Sequence, residues 1–400
     1  MHQHDSHDHH HGHDHVHVHD HGHHHSRRDF FSRAFGSVLV GATVLEEAFL
    51  RASWARAQSN GASTNLFDIQ KIADGVYAAI AKPQLMTNCN AAIFVGARDV
   101  VIVDAHSKPS AASALIAQIR KDITTKPVRY LINTHFHWDH SQGDRAYKAA
   151  SAGGKFDIIA SETTKEWMVQ QGRNRLKDSL DSVPGMIDTL RARMAKNPAD
   201  KAFCEDNIRK LQAYQAEMKD SPLELPTITF AKSYDIKDPA GDLHLEFHGR
   251  AHTAGDIAVY CPQKKVVASG DVIIGFLPNL GDGYPRPWPK TIDSIGSLDF
   301  NRVIPGHGPV HDSKARMTQM RNYIEDLTAR IEAAKKAGKP VEEVRKTITP
   351  ASLNTLKANG YGDWVNDNLK NYSVYIGPRT ALEDRLTQNI DAIYKNLDRA

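Results

Sequence analysis

From Asn65 onward the hydrophobic residues come in short runs broken by glycine, proline and charge, which is the pattern of strands rather than of long helices. DGVYAAIA (74–81) and NAAIFVG (90–96) predict two short strands. A turn at Gly96-Ala97-Arg98-Asp99 leads to VVIVDA (100–105), whose unbroken apolar run suits a strand buried on both faces. SKPSAASALIAQIRKD opens on Ser and Pro and then spaces its apolar residues for a helix. VRYLINT (128–134) and KFDIIAS (155–161) predict two further strands. Residues 162–220 are charged with helical spacing, and Pro184-Gly185 predicts a break, so this stretch reads as a helical hairpin inserted into a β core. Strand patterns return in LPTITFAKSYDI, DLHLEFHG (242–249), DIAVYCP (256–262) and KKVVASGD (264–271), and RVIPGHGPV (302–310) gives the last strand and loop. Glycine and proline crowd GFLPNLGDGYPRPWP (275–289), a loop long enough to flank a pocket. Residues 312–400 are again charged and helical in spacing. Two β halves of this kind predict two sheets, with helices on their outer faces.

Composition narrows this picture. The 400 residues, 40% hydrophobic and 24% charged, suit one large soluble core with appendages. A net charge of +3 is too small to argue for a nucleic-acid partner. Cys89, Cys204 and Cys261 are scattered, with no CxxC, which argues against a disulfide framework or a thiolate zinc cage. The 23 histidines are the anomaly, and fourteen of them lie in residues 1–25. That tract has no apolar face to bury and is expected to be disordered, its His/Asp alternation suiting loose binding of zinc, nickel or copper. Next comes Ser26-Arg27-Arg28-Asp29-Phe30-Phe31, which resembles a twin-arginine export signal. The apolar stretch from Ala34 to Leu45 and Ala55-Arg56-Ala57 would be its core and cleavage site, although Glu46 and Glu47 fit poorly. Residues 26–57 are therefore expected to engage the twin-arginine export machinery and deliver a periplasmic or otherwise exported protein. No other segment has the roughly 18 apolar residues of a membrane span, so no stable span is expected after cleavage.

The chemistry is concentrated in NTHFHWDHSQGD (133–144), on the loop leaving a predicted strand, where α/β folds place their sites. His135, His137, Asp139 and His140 are ligand-type residues spaced to converge from a loop. Matching pieces follow at later strand ends: His252 in GRAHTAGD, Asp271 in ASGDVI and His307 in IPGHGPV, each with a glycine close by. Imidazole and carboxylate without thiolate suit zinc, and iron, manganese or nickel, rather than copper(I) or an iron–sulfur cluster. Six terminal ligands and one bridging carboxylate would make two sites, with room for a shared water.

In order, spacing and flanking residues these motifs resemble the metallo-β-lactamase superfamily, over roughly residues 65–311. The resemblance implies an αββα sandwich, with a helical insertion at about 162–220 and a helical extension over 312–400. It implies two zinc ions, with iron or manganese as substitutes. His135, His137 and His252 would hold the first, Asp139, His140 and His307 the second, and Asp271 would bridge them. Asp139 would also orient the attacking hydroxide, and Asp104, ending VVIVDA, would support the metal-bearing loop. Gln142 stands where relatives often have glycine. The expected activity is hydrolysis of a small-molecule substrate, first a β-lactamase-like amide or ester. Alternatives are a thioester or lactone in the manner of glyoxalase II, favoured by Asp271, an alkyl sulfate, or a non-catalytic periplasmic zinc-binding role suggested by the His tract.

Other residues carry weaker expectations. Trp138 is expected to pack beneath the motif loop, with a substrate wall as the alternative, while Tyr284 and Trp288 are candidates for a substrate mouth. His106 and His311 read as loop residues, the former exposed, and His244 and His248 as half-buried sheet positions.

Overall fold

The computed structural model describes residues 66–82, 89–151, 153–372 and 381–399. The His-rich tract and the export-type segment lie outside the described residues. The first sheet runs in sequence order through β1 (Phe67–Ala73), β2 (Val76–Ala81), β3 (Ala91–Val95), β4 (Val100–Val103), β5 (Val128–Ile132), β6 (Asp157–Ser161) and β7 (Ile228–Phe230). Pairing is antiparallel from β1 to β4 and parallel from β4 to β7. Parallel neighbours need crossovers, and helices supply them: α1 (Pro109–Asp122), the short α2 (Trp138–Ser141) and α3 (Asp144–Ala150), then α4 (Glu162–Lys196) and α5 (Lys201–Met218). The second sheet has the order β12-β11-β10-β9-β8, from β8 (Ser233–Ile236), β9 (Leu243–Glu246), β10 (Ala258–Cys261), β11 (Val266–Gly270) and β12 (Arg302–Pro305). Helix α6 (Trp288–Gly296) precedes β12, and α7 (Ala315–Lys336), α8 (Val341–Thr347), α9 (Asn354–Lys357), α10 (Tyr361–Tyr372) and α11 (Ala381–Asn396) follow it.

Strand alternation decides which side chains meet. Ala92 and Phe94 of β3 and Val101 and Val103 of β4 point into the space between the sheets, against Leu245, Val259 and Ala268 of the second sheet. Their neighbours Ile93, Val100 and Ile102 face the other way, onto Leu115, Ile116 and Ile119 of α1. The outer face of the second sheet, with Ala258, Val267 and Val303, is covered by Met320, Tyr323, Ile324 and Leu327 of α7. The result is an αββα sandwich. No helix among the described residues is long and apolar enough to cross a membrane.

Two expectations need correction. Pro184 and Gly185 do not break the helix: α4 runs through them, and the chain turns at residues 197–200 instead. A proline deprives the carbonyl four residues earlier of its helical donor. Here that carbonyl is Leu180 O, and Gln215 Nε2 of α5 donates to it at 3.5 Å. Val183, Ile187 and Leu190 are meanwhile buried against Cys204, Leu211 and Tyr214 of α5, so packing outweighs propensity. The β halves also do not divide at the inserted helices, because β7 follows them yet completes the first sheet beside β6. All three cysteines are buried and free.

Candidate metal centre

The carboxyl end of β5 and the single turn of α2 carry the first four ligand-type residues. Asp104, just past β4, holds this loop. Its carboxylate accepts from Thr134 N at 2.9 Å, from Thr134 Oγ1, and from His140 Nδ1 at 2.8 Å. It does so from a left-handed backbone conformation (φ 68°), which costs a non-glycine residue energy and persists only where the surroundings enforce it. Asn133 Nδ2 adds bonds to His140 O and Asp144 Oδ1 from beneath. Gly143 is required by close approach, since a Cβ there would lie 1.8 Å from Ala105 O.

The structure brings His135, His137, Asp139, His140, His252, Asp271 and His307 together at one end of the sandwich. His252 Nε2 lies 2.9 Å from His137 Nδ1, and both fall with His135 into one group of candidate ligands. Asp139, His140 and His307 form a second group, with His307 Nε2 3.0 Å from Asp139 Oδ2 and 3.2 Å from His140 Nε2. Asp271 lies between the groups, 3.4 Å from His252 Nε2, 3.4 Å from His140 Nε2 and 3.6 Å from His307 Nε2. The carboxylate reaches this position because residue 306 has no side chain: a Cβ on Gly306 would sit 2.0 Å from Asp271 Oδ1.

The outward nitrogens of three histidines have acceptors. His137 Nε2 donates to Asp282 Oδ2 at 2.8 Å, His140 Nδ1 to Asp104, and His252 Nδ1 to the carbonyl of Asn279 at 3.0 Å. Each bond fixes a tautomer and leaves the inward nitrogen free to accept a cation. His135 Nε2 is buried with no hydrogen-bond partner among the described residues, which is costly for an acceptor unless a donor or a cation meets it.

Electrostatics point the same way. Burial holds the His135 pKa well below its ordinary value, and the neighbouring histidines push it further down. Burial likewise brings His252 down to about 4. Burial works against ionising Asp139 and Asp271, yet His140 and His307 around the first, and His307, His140 and His252 around the second, hold both below the usual carboxylate range. Burial also disfavours a cationic His140, but Cys89, Asp104, Asp139 and Asp271 outweigh it and raise its pKa well above normal. Ionised carboxylates and neutral imidazoles are the forms that ligate metal: Asp139, Asp271, His135 and His252 are held in them, whereas His140 is held as a cation and would give up its proton on binding a metal ion. The nitrogen and oxygen donor set fits divalent cations of zinc type.

The weaker candidates fare differently. Trp138 is half-buried at the start of α2, with its ring edge-on to Tyr214 of α5 at 6.2 Å. Trp288 does not line a mouth: it is fully buried, donates Nε1–H to Val272 O, and packs 5.7 Å from the His252 ring. Tyr284 is also buried, with Arg250 and Arg399 over its ring. The proline-rich loop folds inward on the apolar content of α6, which the mouth expectation overlooked. His106 is not exposed either; it is buried against Phe67 and donates Nδ1–H to Cys89 O at 2.9 Å. His311 is buried beside Trp364, and His244 and His248 are half-buried.

Three supporting residues escaped the sequence reading. Asn90 donates Nδ2–H to Pro305 O and Gly308 O, and so ties β3 to both sides of His307. Asp282 reaches His137 from a distant segment, and Arg175, from another, grips the Asp282 carboxylate. The one available signal was that Asp282 lies in the glycine-rich loop already expected to flank a pocket.

Residues 86–154 and 176–307 match the metallo-beta-lactamase superfamily. The linear primary-alkylsulfatase of a Pseudomonas species is 26% identical over 268 residues, covering 64% of this chain and 47% of that protein. Metallo-beta-lactamase type 2 of Bacillus cereus is 30% identical over 105 residues, 22% of this chain and 41% of that protein. Among solved structures, a double mutant of the sec-alkyl sulfatase PisA1 superposes with a TM-score of 0.60 at 17% identity, over 86% of this chain and 52% of that one. The likeness to it is one of fold. The chain spans about half the length of these relatives, or less.

Proposed function

The chain belongs to the metallo-beta-lactamase superfamily, and from that premise we propose that it is a metal-dependent hydrolase of alkyl sulfate esters. The observation that carries the choice of ester is one of extent. Similarity to the linear primary-alkylsulfatase covers 64% of this chain, against 22% for the Bacillus cereus lactamase. The β-lactam amide favoured by sequence reading becomes the second reading, supported by the higher identity of that shorter match.

In this reading His135, His137 and His252 would hold one cation and Asp139, His140 and His307 another, with Asp271, between the two groups, serving both. Two zinc ions bound there, or iron or manganese in their place, would polarise the ester oxygen and lower the pKa of water from about 15.7 toward about 7. Asp139, held ionised among histidines, would orient the attacking water by accepting a hydrogen bond from it. Asp104 keeps His140 in register, and the buried faces of Trp288 and Phe276 exclude bulk water behind the centre. The water oxygen bonds either to sulfur as the S–O bond to the alcohol breaks, one water proton passing to the leaving alcohol oxygen, or to the alkyl carbon as the C–O bond breaks, one water proton passing to sulfate. Either way the products are an alcohol and hydrogen sulfate. The export-type segment supports action in the periplasm, and cell fractionation of the intact chain tests that.

The test is a substrate panel with the zinc-loaded full chain: alkyl sulfates, β-lactams, lactones, thioesters and phosphodiesters. Sulfate release from primary or secondary alkyl sulfates is expected. Opening of β-lactams without sulfate release would transfer the assignment to the second reading. Inactivity on every member would overturn both readings.

A further inference from the structure

Asp282 lies between β11 and α6, far in sequence from every convergent donor except Asp271. Its Oδ2 accepts from His137 Nε2 at 2.8 Å. The guanidinium of Arg175, on α4, grips both oxygens of the same carboxylate, with Nη2 2.8 Å from Oδ1 and Nη1 2.9 Å from Oδ2. Arg175 is itself held in place. Its Nε donates to Gln171 Oε1 at 3.0 Å, and its guanidinium sits over the Phe136 ring at 4.8 Å. The loop carrying Asp282 is fixed from the other side by the end of the chain. Asn389 Oδ1 accepts from Leu280 N, Asn396 Nδ2 donates to Gly281 O at 2.8 Å, and Arg399 Nη1 donates to Asp282 O at 3.2 Å.

We infer that Asp282 is a positioning residue for the metal centre: it keeps the Nε2–H tautomer of His137, with Nδ1 turned toward His252, and Arg175 sets the carboxylate for that task. An isolated exposed Arg–Asp pair contributes little. This pair is forked, only partly exposed, and shares its carboxylate with an imidazole whose other nitrogen faces the cluster. A carboxylate behind a ligating histidine orients the ring and raises its basicity. The long helix α4 and the C-terminal α11 thus both act on the centre, through one side chain that neither of them carries. This inference rests on the assignment of His137 as a ligand.

The experiment uses the full chain, with zinc alone as the probe, titrated in competition with a chromophoric chelator. Asp282→Asn is expected to weaken one of the two zinc sites by about tenfold to a hundredfold and leave the other unchanged. Arg175→Gln should weaken the same site by a smaller factor, and Arg175→Lys, which keeps the charge and loses the fork, should fall between that variant and wild type. Nitrogen-15 histidine spectra of the zinc-loaded protein should show His137 protonated at Nε2, with that proton exchanging rapidly in Asp282→Ala. A merely structural role would move neither the proton nor the single-site affinity. His137→Ala separates the failures. If it loses one zinc while the Asp282 and Arg175 variants bind both as tightly as wild type, the inference is overturned and the metal assignment stands. If His137→Ala itself retains two zinc ions at wild-type affinity, the assignment falls and the inference with it. Should Asp282→Asn fail to fold, the two Arg175 variants decide alone.

Discussion

Asp139 Oδ2 lies 3.0 Å from His307 Nε2 and 3.6 Å from His140 Nε2, so its carboxylate has a ligand's surroundings and the charge to orient a water. Asp139→Ala is expected to cut hydrolysis by about 10²- to 10⁴-fold and to lower bound metal by no more than one equivalent. Wild-type turnover in that variant would remove Asp139 from the mechanism. His311 makes a different kind of statement. Both its ring nitrogens are buried without partners among the described residues, and burial, with the charge of Arg316, brings its pKa down to about 4. A histidine that stays neutral when folded but takes a proton when unfolded, near pH 6.5, stabilises the protein above that pH. The contribution is lost as pH falls from about 6.5 toward about 4, amounting to about 2 kcal/mol between pH 7 and 5. Urea unfolding at both pH values is expected to show this slope reduced in His311→Leu. An unchanged slope would place the acid sensitivity elsewhere.

The elements themselves show where local reading succeeds. The buried strand β4 is a continuous apolar run, legible because both of its faces are covered. β1 was not read as a strand, since its FDIQKIA buries Phe67 fully and leaves the rest half-buried or exposed at the sheet edge. The break expected at Pro184 failed for a non-local reason: Gln215, from the facing helix, supplies the donor that proline removes. That explanation is testable. Gln215→Ala is expected to destabilise the protein by about 1 kcal/mol, and by clearly less in a Pro184→Ala background, where the helix regains its own donor. Strict additivity in urea unfolding of the four-member cycle would contradict it.

Across the whole molecule, the ligand-type residues were legible because four sit within NTHFHWDHSQGD and the other three each follow a strand of the second half. Asn90, Asp282 and Arg175 were not, since nothing in their own neighbourhoods announces a partner more than a hundred residues away. Burial of aromatic residues was likewise illegible: Trp288 sits in a proline-rich stretch that looks exposed, yet tertiary packing encloses it. The sandwich gathers these distant groups at one end, where they form groups able to hold a metal ion, two in the reading proposed above. Removing metal with a chelator is therefore expected to lower the melting temperature. Zinc at about 100 times its dissociation constant should restore about 2.7 kcal/mol. The most direct test is to titrate metal-free full chain with zinc while following sulfate release from an alkyl sulfate. Activity is expected to rise and saturate at two equivalents per chain; saturation at one equivalent, or no sulfate release at any occupancy, would contradict a two-metal sulfate-ester hydrolase.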